Sequence, residues 1–485
     1  MSDAPITSLE KAHAEIDAQL EAVGQKHLLH YWPQLDESSR RKLLEQLQAI
    51  DWPQIARLVE THVHQKPEFT LPENIEPAAY YPFHATGELI HRYADARDTG
   101  DRLIREGKVA AFTVAGGQGT RLGWDGPKGT FPATPVRKQS LFGVYAEYIL
   151  KTQRKYGSTV PWYIMTSQAN HEPTVAYFKE QNYFGLDPAN VMFFSQAMMP
   201  ALDMQTGKAL LESPDSLALS PNGHGGSLKA LYTSGAIDDM KKRGVEHISY
   251  IQVDNPLVRV IDPLFIGLHA ADESQMSSKM LPKAYGKEKL GNFCLIDGKL
   301  TVIEYSDLPD HLAEQRLPNG ELRFSAGSIA IHCLRVDFVE WLNDRPEGFA
   351  LPFHRAEKKV PHLDLESGRY VEPKENNAVK LEMFVFDALP LCETSIILES
   401  HRLDYFAPIK NADGPDAVDC PSTSRQLQIE RAARWLDSVG VKVPRHDDGT
   451  PAATIELTPL AAIEPSDLRE LELPSKINEG EEIVI

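Results

Sequence analysis

The apolar run Val109-Ala-Ala-Phe-Thr-Val-Ala115 passes directly into Gly116-Gly-Gln-Gly-Thr-Arg-Leu-Gly123, and Gly126-Pro-Lys-Gly129 follows at once. A strand that is apolar on both faces belongs inside a sheet covered on both sides. Glycines at its carboxyl end place the loop where open α/β sheets bind their ligands. Without side chains, backbone N–H groups can approach and donate to a chain of phosphate oxygens. Arg121 adds a planar fork able to grip two oxygens, and Lys128 adds a compact charge suited to one. No Gly-Lys-Ser/Thr closes the loop and its spacing is not GxGxxG, so ATPase and dehydrogenase readings lose ground.

The same alternation of short apolar runs and amphipathic stretches continues, as in parallel α/β architecture. Strands are predicted at Val109–Ala115, Trp162–Thr166, Val191–Phe194 and Ile248–Val253, with helices at Val175–Gln181 and Leu228–Lys242. Before this region the pattern is helical. Leu9, Ala12, Ile16, Leu20 and Val23 recur at helical spacing. A second stripe, Leu43, Leu44, Leu47 and Ile50, can be capped by Asp36 or Ser38, and Pro53 interrupts or restarts it. A proline-dense connector runs from Pro67 to Pro82. The tail from Thr454 alternates like short strands. The expected division is a helical unit over 1–100, an α/β catalytic domain over 101–400 and a small β-rich unit over 401–485.

Composition narrows the partners. The 485 residues carry 50 Lys plus Arg against 69 Asp plus Glu, a formal net charge of -19, which argues against a nucleic-acid coat protein while allowing a local basic pocket. No apolar run reaches membrane-spanning length, so no membrane partner is expected. Cys294, Cys333, Cys392 and Cys420 are scattered without a CxxC pair, and the amino terminus does not resemble a secretory signal. A reducing, cytoplasmic setting follows.

Further motifs carry chemistry. Ile251-Gln-Val-Asp-Asn255 puts Asp254 at a strand end facing the same crevice, where one carboxylate suits Mg²⁺ completed by phosphate and water. Phe193-Phe-Ser-Gln196 ends a strand in an amide that can donate to and accept from a base edge. Ser220-Pro-Asn-Gly-His-Gly-Gly226, Val302-Ile-Glu-Tyr-Ser306, Phe324-Ser-Ala-Gly-Ser-Ile-Ala-Ile-His332, Val379-Lys-Leu-Glu-Met-Phe-Val-Phe-Asp387 and Pro408-Ile-Lys-Asn411 follow in order.

Taken together these segments resemble the UDP-sugar pyrophosphorylases, closest to the eukaryotic-type UDP-N-acetylhexosamine pyrophosphorylases, almost end to end. The resemblance implies a Rossmann-like mixed-sheet nucleotidyltransferase core of the GT-A-like kind. It implies UTP and a sugar 1-phosphate as substrates, UDP-sugar and pyrophosphate as products, and Mg²⁺ as cofactor; the oligomeric state stays open. Ala115, Gly116, Gly117, Gln196, Gly223 and Asp254 correspond to UTP-binding positions. Arg121, Lys128, Lys380 and Lys410 correspond to the phosphate-handling cations. His224, Gly291, Glu304 and Tyr305 correspond to sugar-binding positions, and Phe384 and Phe386 to nearby aromatic ones, with plain core the favoured reading for Phe386. The family's sugar is N-acetylglucosamine 1-phosphate. His224, Ser325, Ser328 and Ile331 stand where asparagines are usual, which leaves glucose or galactose 1-phosphate as the alternative substrate. A glycosyltransferase would not need the Arg121 and Lys128 clamp, and a UDP-sugar sensor would not need both. His224 is not required as a base, because the sugar phosphate is already an anionic nucleophile.

Overall fold

The computed structural model describes residues 4–67, 71, 72, 74–346 and 348–485. Part of the proline-dense connector, residues 68–70 and 73, lies outside the described residues. The chain forms two units, each discontinuous in sequence. One takes Met1–Thr70, Gln196–Gly226 and Leu351–Val385; the other takes Leu71–Ser195, Ser227–Ala350 and Phe386–Ile485. Linear boundaries at residues 100 and 400 do not separate these two units, because excursions of the chain complete each core.

The first unit begins with helices Ala4–Ala22, Glu37–Gln48 and Trp52–Leu58. Asp36 caps the second, accepting from the Ser39 N–H at 2.8 Å. Asp51 and Pro53 start the third, so Pro53 restarts the helical pattern. Their apolar stripes are buried with Leu202, Leu211, Leu217, Val379 and Leu381. Those partners come from a three-stranded antiparallel sheet, His354–Lys358, Ala378–Glu382, Leu202–Asp203, and from the short pair Leu211–Ser213 and Ser216–Leu217. Met198–Pro200 pairs antiparallel with Leu219–Pro221, which brings Gln196 and the 222–226 turn to one end of a hairpin.

The second unit is built on a ten-stranded mixed sheet. Its main path runs Ile75–Pro77, Asn292–Ile296, Ala326–Arg335, His247–Gln252, Val109–Val114, Trp162–Thr166, Val191–Ser195. The last four are parallel, and all four were expected from the sequence to within one residue at each end. Register pairs Val114 with Gln252 and with Met165, so the glycine loop and Asp254 leave the sheet at the same edge. Helices Leu89–Arg105, Leu141–Tyr156, His171–Glu180 and Pro263–Ala271 belong to this unit. The single helix expected over Leu228–Lys242 is two, Gly226–Thr233 and Ala236–Arg243. Gly235 separates them at φ 79°, a left-handed conformation that ends a helix.

Beyond Phe406 the alternating tail does pair, Thr454–Glu456 with Glu482–Val484 in parallel. The longest element there is nevertheless a helix, Pro421–Ser438, which packs Ala432, Ala433, Trp435 and Leu436 against Ile455, Leu468 and Ile477. No helix among the described residues is long and apolar enough to cross a membrane.

Candidate active site

In the second unit the glycine loop is held from behind by a side chain the sequence reading did not single out. Asn170, fully buried, donates to the carbonyls of Ala115 at 2.9 Å and Gly117 at 3.1 Å. Its own oxygen accepts from the Ser167 N–H and hydroxyl. With their carbonyls occupied in this way, the loop can present N–H groups to a ligand. Nothing local to Asn170 announces this, since its partners lie more than fifty positions upstream.

The loop opens on a cavity of about 1230 Å³ whose wall includes Gly117, Arg121, Lys128, Asp254, Tyr305 and Lys410. Six of the sequence-derived site residues are thus brought together. Ala115 is buried and Gly116 half-buried behind that wall. The Lys128 ammonium lies 3.7 Å from an Asp254 carboxylate oxygen, with side chains 16% and 14% exposed. Arg121 is exposed on the single turn Thr120–Leu122.

Asp254 and Lys410 are tied through backbone. The Ile409 N–H donates to the Asp254 carbonyl at 2.8 Å. Asn255 Nδ2 donates to the Tyr405 carbonyl at 2.6 Å, and its oxygen accepts from the Ala407 N–H at 3.0 Å. Lys410 and Asn411 both donate backbone N–H groups to the Asp419 carbonyl. The Lys410 ammonium sits 5.5 Å from the Phe406 ring centroid, a cation–π contact. Burial raises the Asp419 carboxyl above its ordinary pKa, against the pull of Lys410. Asp254 places one carboxylate beside the glycine loop, a hard oxygen donor of the kind that fits a divalent cation.

Around the same cavity, Tyr285, Lys289, Arg402 and Asp419 were not anticipated. Arg402 is anchored on Glu288 at 2.8 Å. Gly291 lies against Glu304: a Cβ there would stand 3.6 Å from the Glu304 carboxylate and 2.7 Å from Val302. The Gly291 carbonyl also accepts from the Ser328 N–H at 2.8 Å. Glu304 is half-buried and Tyr305 is 45% exposed. Of the three positions in the 324–332 motif where asparagine is usual, Ile331 is 4% exposed and belongs to the main core of this unit. Its side chain serves packing, while Ser325 and Ser328 are half-buried.

The first unit holds Gln196, Gly223, His224 and Lys380. Gln196 is buried and its amide donates to Asn222 Oδ1 at 2.8 Å and to the Gly223 carbonyl. Gly223 adopts φ 82°, and a Cβ would meet the Met383 carbonyl at 2.4 Å, so both conformation and space require glycine. His224 Nδ1 accepts from the Val385 N–H at 3.1 Å. Its ring stacks on Phe384, which stacks in turn on His354. Burial, and secondarily the charge of His354, lower the His224 pKa to about 4. Phe386, by contrast, is buried, as the core reading expected. Lys380 is half-buried in the middle of strand Ala378–Glu382, opposite Ala356.

Known proteins match this chain along most of its length. The UTP–glucose-1-phosphate uridylyltransferase family profile matches residues 54–424. A human UDP-N-acetylhexosamine pyrophosphorylase-like protein 1 is 35% identical over 476 residues, covering 92% of this chain and 92% of the human protein. The Saccharomyces cerevisiae UDP-N-acetylglucosamine pyrophosphorylase is 33% identical over 441 residues, covering 87% and 90%. Among solved structures, the uridine diphosphate N-acetylglucosamine pyrophosphorylase of Trypanosoma brucei aligns with a TM-score of 0.81 at 26% identity, over 95% of this chain and 94% of that one. A glycine-rich loop at the end of a parallel strand, in a chain so matched, is the machinery of a nucleotidyltransferase: the protein belongs to the UTP–glucose-1-phosphate uridylyltransferase family, whose members form UDP-sugar and pyrophosphate from UTP and a sugar 1-phosphate.

Proposed function

We propose that this uridylyltransferase acts on N-acetylglucosamine 1-phosphate. The relatives named for UDP-N-acetylglucosamine support the reading, and the observation that carries it is the burial of Ile331 in the core. That replacement of asparagine removes nothing from a sugar pocket. Ser328, whose N–H donates to the carbonyl of Gly291, the residue that packs on Glu304, keeps a hydroxyl group for an acetamido group or a sugar hydroxyl.

Roles follow from the local chemistry. In the first unit the Gln196 amide nitrogen is already engaged, so its oxygen accepts the N3–H of uracil. Lys380 contributes a cation for the triphosphate. In the second unit the 115–117 backbone, Arg121 and Lys128 hold the triphosphate, while Glu304 and Tyr305 take the sugar and Lys410 its phosphate. An oxygen of the sugar 1-phosphate attacks the α-phosphorus in line. A new P–O bond forms as the bond to the β-phosphate oxygen breaks, and pyrophosphate leaves. No proton has to be removed from the nucleophile, which suits a His224 held neutral. Catalysis is positioning and charge neutralisation. Asp254 would hold Mg²⁺, which supplies further neutralisation of the phosphate oxygens when bound. A cytoplasmic setting, with the four cysteines as thiols, belongs to the same proposal.

The test is pyrophosphate release from UTP and Mg²⁺ with N-acetylglucosamine, N-acetylgalactosamine, glucose and galactose 1-phosphates in parallel. The expected result is the highest kcat/KM with N-acetylglucosamine 1-phosphate. Faster release with a plain hexose 1-phosphate overturns the sugar assignment and turns Ser325, Ser328 and His224 into hexose determinants.

A further inference from the structure

At the other end of the central strands three side chains with nitrogen and sulfur donors converge. His247 opens the strand His247–Gln252, beside Val109 on one side and Arg335 on the other. Cys333 lies on the neighbouring strand opposite Ser249, and His269 occupies the last turn of helix Pro263–Ala271. One ring nitrogen from each histidine and the Cys333 sulfur all lie within 4.8 Å of one another. The three residues are 7%, 0% and 0% exposed.

Two observations distinguish this cluster from ordinary core. His247 Nδ1 and His269 Nε2 are buried and neither has a hydrogen-bond partner, although such groups are nearly always paired. His269 Nδ1 lies 2.7 Å from the Ser277 hydroxyl. With the proton on Nδ1 and donated to Ser277, Nε2 presents a lone pair, the arrangement by which a second partner orients a metal-binding histidine. Burial also favours the neutral imidazoles, lowering the His247 pKa to about 4 and that of His269 well below its ordinary value. Neutral imidazole is the form that binds metal.

We propose that His247, His269 and Cys333 form a site for one borderline-soft divalent cation of the Zn²⁺ class. Two imidazoles and a thiolate are a zinc donor set, with bonds of about 2.0–2.3 Å in a tetrahedron. The observed separations close to that geometry with side-chain shifts of about 1 Å. On binding, the Cys333 thiol loses its proton to solvent and the S–metal bond replaces S–H. A groove of about 800 Å³, walled by His247 and His269 together with Lys108, Glu246 and Arg335, adjoins the cluster and gives a water access to complete the fourth position. The site is separate from Asp254, because Val109 and Val114 stand at opposite ends of one strand, roughly 15–20 Å apart. The bound cation ties a helix to two strands.

Co²⁺ titration of the chelator-treated full-length protein tests this. One equivalent is expected to give a thiolate-to-cobalt charge-transfer band, displaced by Zn²⁺ but not by Mg²⁺. The band is expected to vanish in Cys333→Ser and to survive in Cys420→Ser. No such band at stoichiometric Co²⁺, or one that persists in Cys333→Ser, overturns the proposal. If Cys333→Ser does not fold, zinc X-ray absorption on the wild-type protein decides: a shell with one sulfur and two imidazole nitrogens supports the site, and a shell of oxygen and nitrogen alone refutes it.

Discussion

The two units carry their site residues in opposite physical settings. In the first, Gln196, Asn222, Gly223, His224 and Phe384 satisfy one another by hydrogen bonds and stacking before any ligand arrives. In the second, Arg121, Lys128, Asp254 and Lys410 line an open cavity, with Lys128 and Asp254 paired to each other at 3.7 Å. On the proposed assignment, the contrast matches what each would recognise. A base edge is read by fixed donors and acceptors, and misplacement of one is costly because a buried polar group is left unpaired. A polyphosphate is held by charge, which tolerates small displacements and stabilises the transition state as negative charge redistributes.

Predictions that break this contrast differ in the kinetic parameter they move. Lys128→Ala should have the largest effect, lowering kcat by about 10²–10³-fold, the scale of losing one transition-state electrostatic contact, with a smaller change in UDP-sugar affinity. Near-normal turnover in a stopped pyrophosphate assay would remove Lys128 from the machinery. Gly223→Ala comes next. Its methyl group would collide with the Met383 carbonyl and strain the backbone at φ 82°. A rise in KM for UTP of about tenfold is expected, together with a stability loss of about 1–3 kcal/mol in urea titration. An unchanged KM would show that the 222–226 turn does not set the base-reading geometry.

The smallest effect concerns pH. His224 is neutral in the folded state down to about pH 4, whereas an unfolded histidine takes up its proton near pH 6.5. The unfolded state therefore binds more protons between those values, and stability falls as pH drops through that window. From pH 7 to pH 5 this single group should cost at most about 2 kcal/mol. In His224→Gln the pH dependence of thermal unfolding should be shallower over that interval. An identical slope would place the acid sensitivity elsewhere.

Much of the second unit was legible because parallel strands announce themselves as short, wholly apolar runs, and because phosphate loops need glycine at the strand end. Val109–Val114 and its loop, Asp254 and Lys128 all follow from that local chemistry. What escaped was long-range or masked by atypical residues. Asn170 supports the loop from a distant turn, which no spacing reveals. Helix Pro421–Ser438 is capped by the Cys420 thiol with Thr423, where Ser, Thr or Asp would have signalled a start. Its buried face mixes Ser424 and two alanines with only two large apolar residues, so its periodicity is weak. Gly235 divides the helix expected over Leu228–Lys242 through its left-handed φ of 79°, a conformation that residue identity permits but does not dictate. The first unit was half legible: its helical stripes could be read, but not the strands from residues 202–217 and 378–382 that bury them. Ile331 taught the reverse lesson, since a substitution that looked like a change of specificity on paper lies in the core.

The backbone bonds joining Asp254 and Asn255 to residues 405–409 have a mechanical consequence. A fluctuation that lifts the end of strand His247–Gln252 carries the start of the Lys410 segment with it. The separation between the two backbone segments then varies less than the position of either. Reaction between two bound anions depends on relative placement, and these backbone bonds tie together the two segments that carry Asp254 and Lys410.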